Sequence, residues 1–288
     1  METTWNTKLY CLIGKPIDKS LSPIIHNNIF KFLNENSVYL AFNIEENRLK
    51  DAIDGLKAMN VGGFNVTIPY KKSIIKHLDD ISPKAKAINA VNTVKNHNGK
   101  LIGYNTDGDG FLKTFYDNNI DIRGKNILIL GAGGASYGIA SILAMENIQK
   151  IYIANRTIEN SILLEQNVKK INNKITTEVI DLSLKDLDKK NIDIIINTTS
   201  LGMYPMEDMS PLELSGFSRD TIIYDIVYKP YETKLIKEAK AKGFRTFNGL
   251  SMLLNQAIFS QNIWLNLDEK INFEIYKKIE GILHNYVE

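Results

Sequence analysis

The chain has 288 residues, 44% of them hydrophobic and 24% charged, with a formal net charge of +2 at pH 7. That length suits two domains of ordinary size, and the composition is that of a folded globular protein rather than a disordered one. The interspersed charges exclude the basic stripe that a nucleic-acid binder needs. No apolar run is long enough to span a bilayer, and a single cysteine, Cys11, leaves no internal disulfide and no cysteine-rich metal site.

Met1 to Trp5 has no basic stretch leading into an apolar core, so no secretory signal is expected and the expected address is the cytoplasm. The next hundred residues alternate short strands with helices. Leu9 to Ile13, closed by Gly14, reads as a buried strand that makes Cys11 a packed core thiol. A helix is expected from Ser22-Pro23, with Ser22 as cap and Pro23 at the first helical position; Ile25, Ile29, Phe32 and Leu33 follow at helical spacing. Val38 to Ile44 reads as a second strand and Glu46 to Asn60 as a second helix. Phe64 to Ile68 reads as a strand with period-two alternation, stopped by Pro69.

A different unit is expected from Thr106 onward. Asn126 to Leu130 is apolar throughout its centre, as a strand covered on both faces of a parallel sheet must be. A glycine-rich turn follows, then a helix to about Met145 and strands at Lys150 to Ala154, Asp193 to Asn197 and Thr221 to Ile226. Helical segments near Glu159 to Lys169 and Glu232 to Lys242 lie between them. After Phe244 to Phe247 the pattern is purely helical, over Leu250 to Leu265 and Phe273 to His284. Strands and helices alternating at this spacing predict a doubly wound parallel sheet with right-handed crossovers.

The turn Gly131-Ala132-Gly133-Gly134-Ala135-Ser136 sits between a buried strand and a helix, the setting in which glycines cradle a dinucleotide. Gly131 would make the tight turn, and Gly133 would let backbone amides approach the pyrophosphate at the positive end of the helix. Ser136 replaces the usual Gly or Ala, and is small enough for close packing. Asn155-Arg156-Thr157 lies 24 positions after Gly131, where an acid would hold the ribose hydroxyls of NAD. No acid is present, and the guanidinium of Arg156 suits a 2′ phosphate, which favours NADP. The plain alternative, a solvated arginine after a strand, leaves the missing acid unexplained.

The fold class expected is therefore α/β with two domains. A Rossmann domain binding NADP would cover 106–249. An α/β substrate domain with a central, mostly parallel sheet would cover 1–105, completed by the C-terminal helices 250–288, with a cleft between the two domains.

Polar clusters in the first domain suggest chemistry. Ser20 and Ser22, two residues apart at a helix entrance, suit a carboxylate ligand, although simple capping would also explain them. Asn65 and Thr67 fall on one strand face, Lys71 follows Pro69-Tyr70, and Asn92 and Asp107 add an amide and a carboxylate. His26, His77, His97 and His284 are dispersed without metal-site spacing, so no metal is expected; His26 reads as a packing residue.

Together these strings resemble the shikimate dehydrogenase family nearly end to end. They are Ser-x-Ser-Pro-x-x-His at Ser20 to His26, Asn65-Val66-Thr67-x-Pro-x-Lys71, Ala90-Val91-Asn92-Thr93 and Asn105-Thr106-Asp107-Gly108. The glycine turn, Asn155-Arg156-Thr157, Asn197-Thr198-Thr199-Ser200-x-Gly202-Met203 and Gly249-Leu250-x-Met252-Leu253-x-x-Gln256 continue the order. The resemblance implies reversible NADPH-dependent reduction of 3-dehydroshikimate to shikimate, in aromatic amino acid and chorismate biosynthesis. It implies that Lys71 and Asp107 are the catalytic pair. Ser20 and Ser22 would bind the substrate carboxylate with Thr67 and Tyr228 nearby, and Asn65, Asn92 and Gln256 would bond the ring hydroxyls. Gly131, Ala132, Gly133, Gly134, Ala135 and Ser136 would cradle the pyrophosphate. Asn155, Arg156 and Thr157 would surround the 2′ phosphate, and Ile226 and Gly249 would lie near the nicotinamide. Where many NADP-using members carry a second arginine, this chain has Asn160. The partners expected are small molecules, without nucleic acid or membrane, and a homodimer is compatible with the sequence. A quinate/shikimate dehydrogenase using NAD or both cofactors is the nearest alternative. A non-catalytic dinucleotide sensor is a remote one, whose mark would be loss of Lys71 or Asp107.

Overall fold

The computed structural model describes residues 3–185, 187–267 and 271–288. Met1 and Glu2, at the start of the segment read against a secretory signal, lie outside them. Two six-stranded sheets organise the chain, one in each of two units. Unit 1 comprises Met1–Gly110 and Leu254–Tyr286; unit 2 comprises Phe111–Leu253 and Val287–Glu288.

Unit 1 is built on β1 (Lys8–Gly14), α1 (Ser22–Leu33), β2 (Ser37–Asn43), α2 (Leu49–Ala58), β3 (Gly63–Val66), β4 (Asp80–Ile81), α3 (Pro83–Ile88), β5 (Thr93–His97) and β6 (Lys100–Tyr104). The sheet order is β2-β1-β3-β5-β6-β4. β1 runs parallel to β2 and β3, and β4 parallel to β6, whereas β5 is antiparallel to both β3 and β6. The sheet is mixed because Asn98 and Gly99, both left-handed with φ of 52° and 86°, turn β5 into β6 as a tight hairpin. β1 feeds both faces, as a period of two requires. Cys11 and Ile13 pack with Leu49, Ile53, Phe64 and Val94, while Tyr10 and Leu12 pack with Phe30, Tyr39 and Trp264. Each such side chain contributes about 1.5–3 kcal/mol through burial. Desolvation pushes the Cys11 thiol up to about 12, so it is an inert core residue.

Three local expectations are corrected. Ser22 is not the cap of α1: the cap position is Leu21, Ser22 is the first helical residue and Pro23 the second. The second helix opens as a 3-10 turn over Glu46–Arg48 before α2 begins. β3 ends at Val66 and all four of its residues are buried, because strands flank it on both sides and both faces are covered.

Unit 2 is entered within α4 (Asp107–Asp117) and continues through β7 (Asn126–Leu130), α5 (Gly134–Met145), β8 (Lys150–Ala154), α6 (Ile158–Ile171), β9 (Thr176–Ile180), β10 (Ile194–Asn197), β11 (Ile222–Asp225), α7 (Lys234–Ala241) and β12 (Arg245–Phe247). α8 (Gly249–Leu265) begins in unit 2 and returns the chain to unit 1, where α9 (Phe273–Val287) follows up to Tyr286. All strands of this sheet are parallel, in the order β12-β11-β10-β7-β8-β9. Renumbered from β7, that is the doubly wound order with its reversal between the first and fourth strands. β7 again serves two cores. Ile127 and Ile129 pack with Phe111, Ile139 and Leu143, and Leu128 and Leu130 pack with Ile195, Leu214 and Leu235.

Candidate active site

Within unit 1, β3 ends close to a polar cluster. Lys71 is held at its backbone by Val91, whose N–H donates to the Lys71 carbonyl at 2.8 Å. Asp107 opens α4, and Lys71 Nζ donates to Asp107 Oδ2 at 2.7 Å. The two side chains are 32% and 20% exposed, so the pair is sheltered but reachable. Asn92 Nδ2 donates to the other carboxylate oxygen at 2.9 Å, and its Oδ1 accepts from the Thr106 N–H at 2.7 Å. Asp107 is thereby fixed from two directions. The ammonium has three donors, and the contact with Asp107 engages one.

The remaining polar residues of unit 1 interlock. Asn65, nearly buried, donates through Nδ2 to the Asn92 carbonyl, Thr93 Oγ1 and Ser260 Oγ at 3.0, 3.0 and 3.1 Å. Its Oδ1 accepts from the Tyr39 hydroxyl at 2.7 Å. Gln256 Oε1 lies 3.5 Å from Asn92 Nδ2. Ser22 N–H donates to Ser20 Oγ at 3.2 Å, so the first serine takes up a helix-terminal amide. Thr67 N–H donates to the Ile13 carbonyl at 3.0 Å, and the Thr67 methyl leaves no room for a side chain at position 14. Lys71, Asp107, Asn92, Asn65 and Gln256 thus form one connected set. His26 is fully buried, stacked 4.2 Å from the Tyr39 ring, and burial pushes it down to about 3, so it packs as a neutral ring.

Within unit 2, Gly131 has φ +102°, and a side chain there would meet Thr198 Oγ1 at 2.7 Å. Only glycine fits such a turn. At Gly133 and Gly134 an added Cβ would meet nothing within 4 Å. With Ala135 they line open space, and the first-turn amides of α5 have no carbonyl one turn back to bond. The residues present therefore fit a dinucleotide diphosphate. Ser136 does more than pack. It is buried, accepts from the Gly133 N–H at 3.0 Å and meets Thr198 Oγ1 at 2.6 Å, while Thr198 donates to the Leu130 carbonyl at 2.7 Å. The Gly133 amide is thus engaged within the turn.

At the end of β8, Asn155 Nδ2 donates to the Thr157 carbonyl at 2.8 Å, Thr157 precedes α6 and Arg156 is exposed. Gly249 lies against Ile226 so closely that a Cβ would stand 1.9 Å from the Ile226 carbonyl oxygen. Asp225, buried at the end of β11, accepts from Asn197 Nδ2 at 2.9 Å, the Val227 N–H at 3.1 Å and the Thr233 hydroxyl at 2.6 Å. Burial nonetheless pushes it up to about 6. Burial also raises the Tyr228 phenol.

Among the described residues no group of three His, Cys, Asp or Glu side chains could hold a metal ion, and no helix is long and apolar enough to cross a membrane. The sequence motifs carry no assigned role for Tyr39, Thr93, Thr198, Asp225 or Ser260. Thr93 and Thr198 stand inside the motif strings themselves, and Ser260 lies one helical turn beyond Gln256. Tyr39 carries no local signal, being one aromatic in an apolar strand.

A family model described as the shikimate dehydrogenase substrate binding domain matches residues 12–94, and one described as shikimate / quinate 5-dehydrogenase matches residues 115–225. A shikimate dehydrogenase (NADP(+)) of Caldanaerobacter subterraneus is 41% identical over 98% of this chain and 99% of the relative. A crystal structure of shikimate dehydrogenase in complex with NADP+ superposes with TM-score 0.90 at 40% identity, covering 100% of this chain and 98% of that one. The shikimate 5-dehydrogenase of Listeria monocytogenes, crystallised with shikimate and NAD, gives TM-score 0.90 at 37% identity over 98% of both chains. With this identity running nearly end to end over two such sheets, the chain belongs to the shikimate dehydrogenase family.

Proposed function

We propose that this chain catalyses the reversible NADPH-dependent reduction of 3-dehydroshikimate to shikimate, with unit 1 as substrate domain and unit 2 as NADP domain. The observation that carries the reading is the Lys71–Asp107 contact at 2.7 Å, braced by Asn92. When bound, the nicotinamide supplies the hydride that the carbonyl carbon accepts. Lys71 stabilises the charge developing on the carbonyl oxygen and gives it a proton; in the oxidative direction it takes that proton back. Asp107 orients the ammonium and accepts from the neighbouring hydroxyl. Ser20 and Ser22 bind the substrate carboxylate with Thr67 beside it, Asn65, Asn92 and Gln256 bond the ring hydroxyls, and Tyr228 is a further substrate-binding residue.

For the cofactor, the turn from Gly131 through Ala132, Gly133, Gly134 and Ala135 to Ser136 holds the diphosphate, with the Gly134 and Ala135 amides as donors. Asn155, Arg156 and Thr157 hold the 2′ phosphate, and Ile226 and Gly249 border the nicotinamide. The address this reading implies is the cytoplasm. Rates with shikimate and quinate, each with NADP+ and NAD+, test it: shikimate with NADP+ is expected to give the highest kcat/KM. No turnover with either alcohol would overturn the reading, and a preference for quinate or NAD+ would move the chain to the neighbouring specificity.

A further inference from the structure

At the carboxyl ends of β10 and β11 one carboxylate collects three hydrogen bonds, and the chemistry of the donors fixes their direction. Asn197 Oδ1 accepts from the Thr199 N–H at 3.0 Å and from the Thr199 hydroxyl at 2.7 Å. A backbone N–H can only donate, so the Asn197 amide has one orientation and its Nδ2 must face Asp225 Oδ1, 2.9 Å away. The Val227 N–H reaches the same oxygen at 3.1 Å. Thr233 Oγ1 caps α7 by accepting from the Ile236 N–H, which leaves its own proton for Asp225 Oδ2 at 2.6 Å. Asp225 is itself fully buried. One acceptor-only group thus ties together the loop after β10, the loop after β11 and the first turn of α7.

What this tie holds is the backbone of Ile226 and Val227. The Ile226 N–H donates to the Asn197 carbonyl at 3.1 Å, and the Gly249 N–H donates to the Val227 carbonyl at 3.2 Å. Gly249 lies so close that backbone meets backbone at the Ile226 carbonyl. Ile226 is therefore pinned between Asn197, Gly249 and the Asp225 tie, with its own side chain only partly buried. None of the three donors belongs to the glycine turn or to Asn155–Thr157. Thr198, which touches the turn through Ser136, is anchored by bonds of its own: its N–H and hydroxyl both donate to the Leu130 carbonyl, at 2.8 and 2.7 Å. We propose that Asp225 is a positioning residue that fixes the Ile226 border of the nicotinamide site, and through it the placement of the ring, without touching the cofactor. This rests on the NADP reading of unit 2 proposed above. Wild-type turnover of shikimate with NADP+ and wild-type binding of 2′,5′-ADP test that reading separately.

The test is Asp225→Asn, with kcat and KM for shikimate measured beside the dissociation constants of NADP+ and of 2′,5′-ADP, which lacks the nicotinamide. An amide at this position accepts at one end only, so part of the tie must open. The variant is expected to lose about tenfold in kcat and about fivefold in NADP+ affinity, while 2′,5′-ADP affinity and KM for shikimate stay within about twofold. A general loosening of unit 2 would weaken both nucleotides alike, and that result would overturn the proposal; so would kcat and NADP+ affinity at wild-type values. Should Asp225→Asn fold poorly, Thr233→Val removes the donor to Oδ2 while keeping the side chain's shape. It is expected to show the same split between the two nucleotides at about threefold, and Thr233→Ser, which restores the hydroxyl, to return it to wild type. An equal loss for both nucleotides, or a serine variant no better than valine, would count against Asp225.

Discussion

The two candidate binding regions are made of different material. Around Lys71, Asn92 and Asn65 the site consists of side chains that already bond one another, so its geometry is set by a polar network. Around Gly133 and Gly134 it consists of backbone and of room that no side chain fills. The first kind of site is damaged by taking atoms away, the second by adding them.

The largest expected effect is at Lys71. Lys71→Ala should lower kcat by about a thousandfold or more while NADP+ affinity, measured by fluorescence titration, stays near wild type. Retained turnover would remove Lys71 from the chemistry. In the other region the sharpest contrast is between two glycines. Gly131→Ala must hold a side chain at φ +102° against Thr198, and should destabilise the protein by about 1–3 kcal/mol in denaturant unfolding. Gly133→Ala meets no protein atom within 4 Å, so its melting temperature should be unchanged while KM for NADP+ rises about tenfold. Equal stability losses at the two positions would erase the distinction.

Acid separates the units as well. His26, in unit 1, is pushed down to about 3 by burial from an ordinary 6.5. The unfolded chain therefore binds a proton that the folded one refuses, and stability is lost as pH falls from 6.5 toward 3, by about 3 kcal/mol at pH 4. Asp225, in unit 2, has the opposite sign. Pushed up to about 6 from 3.8, it contributes fully below 3.8, and that contribution is lost as pH rises through 6, again by about 3 kcal/mol. Trp5 and Trp264 both lie in unit 1, so tryptophan fluorescence follows that unit. Its acid midpoint should fall in His26→Phe and not in Asp225→Asn. The smallest effect is expected at Ser136→Ala, about 1 kcal/mol of stability and a severalfold rise in KM for NADP+; no change in either would make the serine a packing residue only.

Much of unit 2 was legible because a parallel sheet covered on both faces writes itself as short apolar runs: Asn126 to Leu130 and Lys150 to Ala154 are β7 and β8 to the residue. Unit 1 was harder. β5 and β6 are half polar, and their Asn98-Gly99 turn is a local signal that a search for apolar runs passes over. The weakly apolar β9 escaped for the same reason. Of the candidate site, the motifs supplied Lys71 and Asp107, which the fold brings to 2.7 Å across 36 positions of sequence. They could not supply Tyr39 or Ser260, because a hydrogen-bond partner contributed by a distant strand or helix leaves no spacing rule behind.

The Ser136–Thr198 bridge joins residues 62 positions apart, one following β7 and one following β10. The six-residue glycine turn is therefore not a portable cassette: grafted onto another sheet without a hydroxyl at the end of the fourth strand, it would arrive with a buried serine hydroxyl that has lost one of its two partners. Engineers who transplant this cofactor module should move both loops or neither.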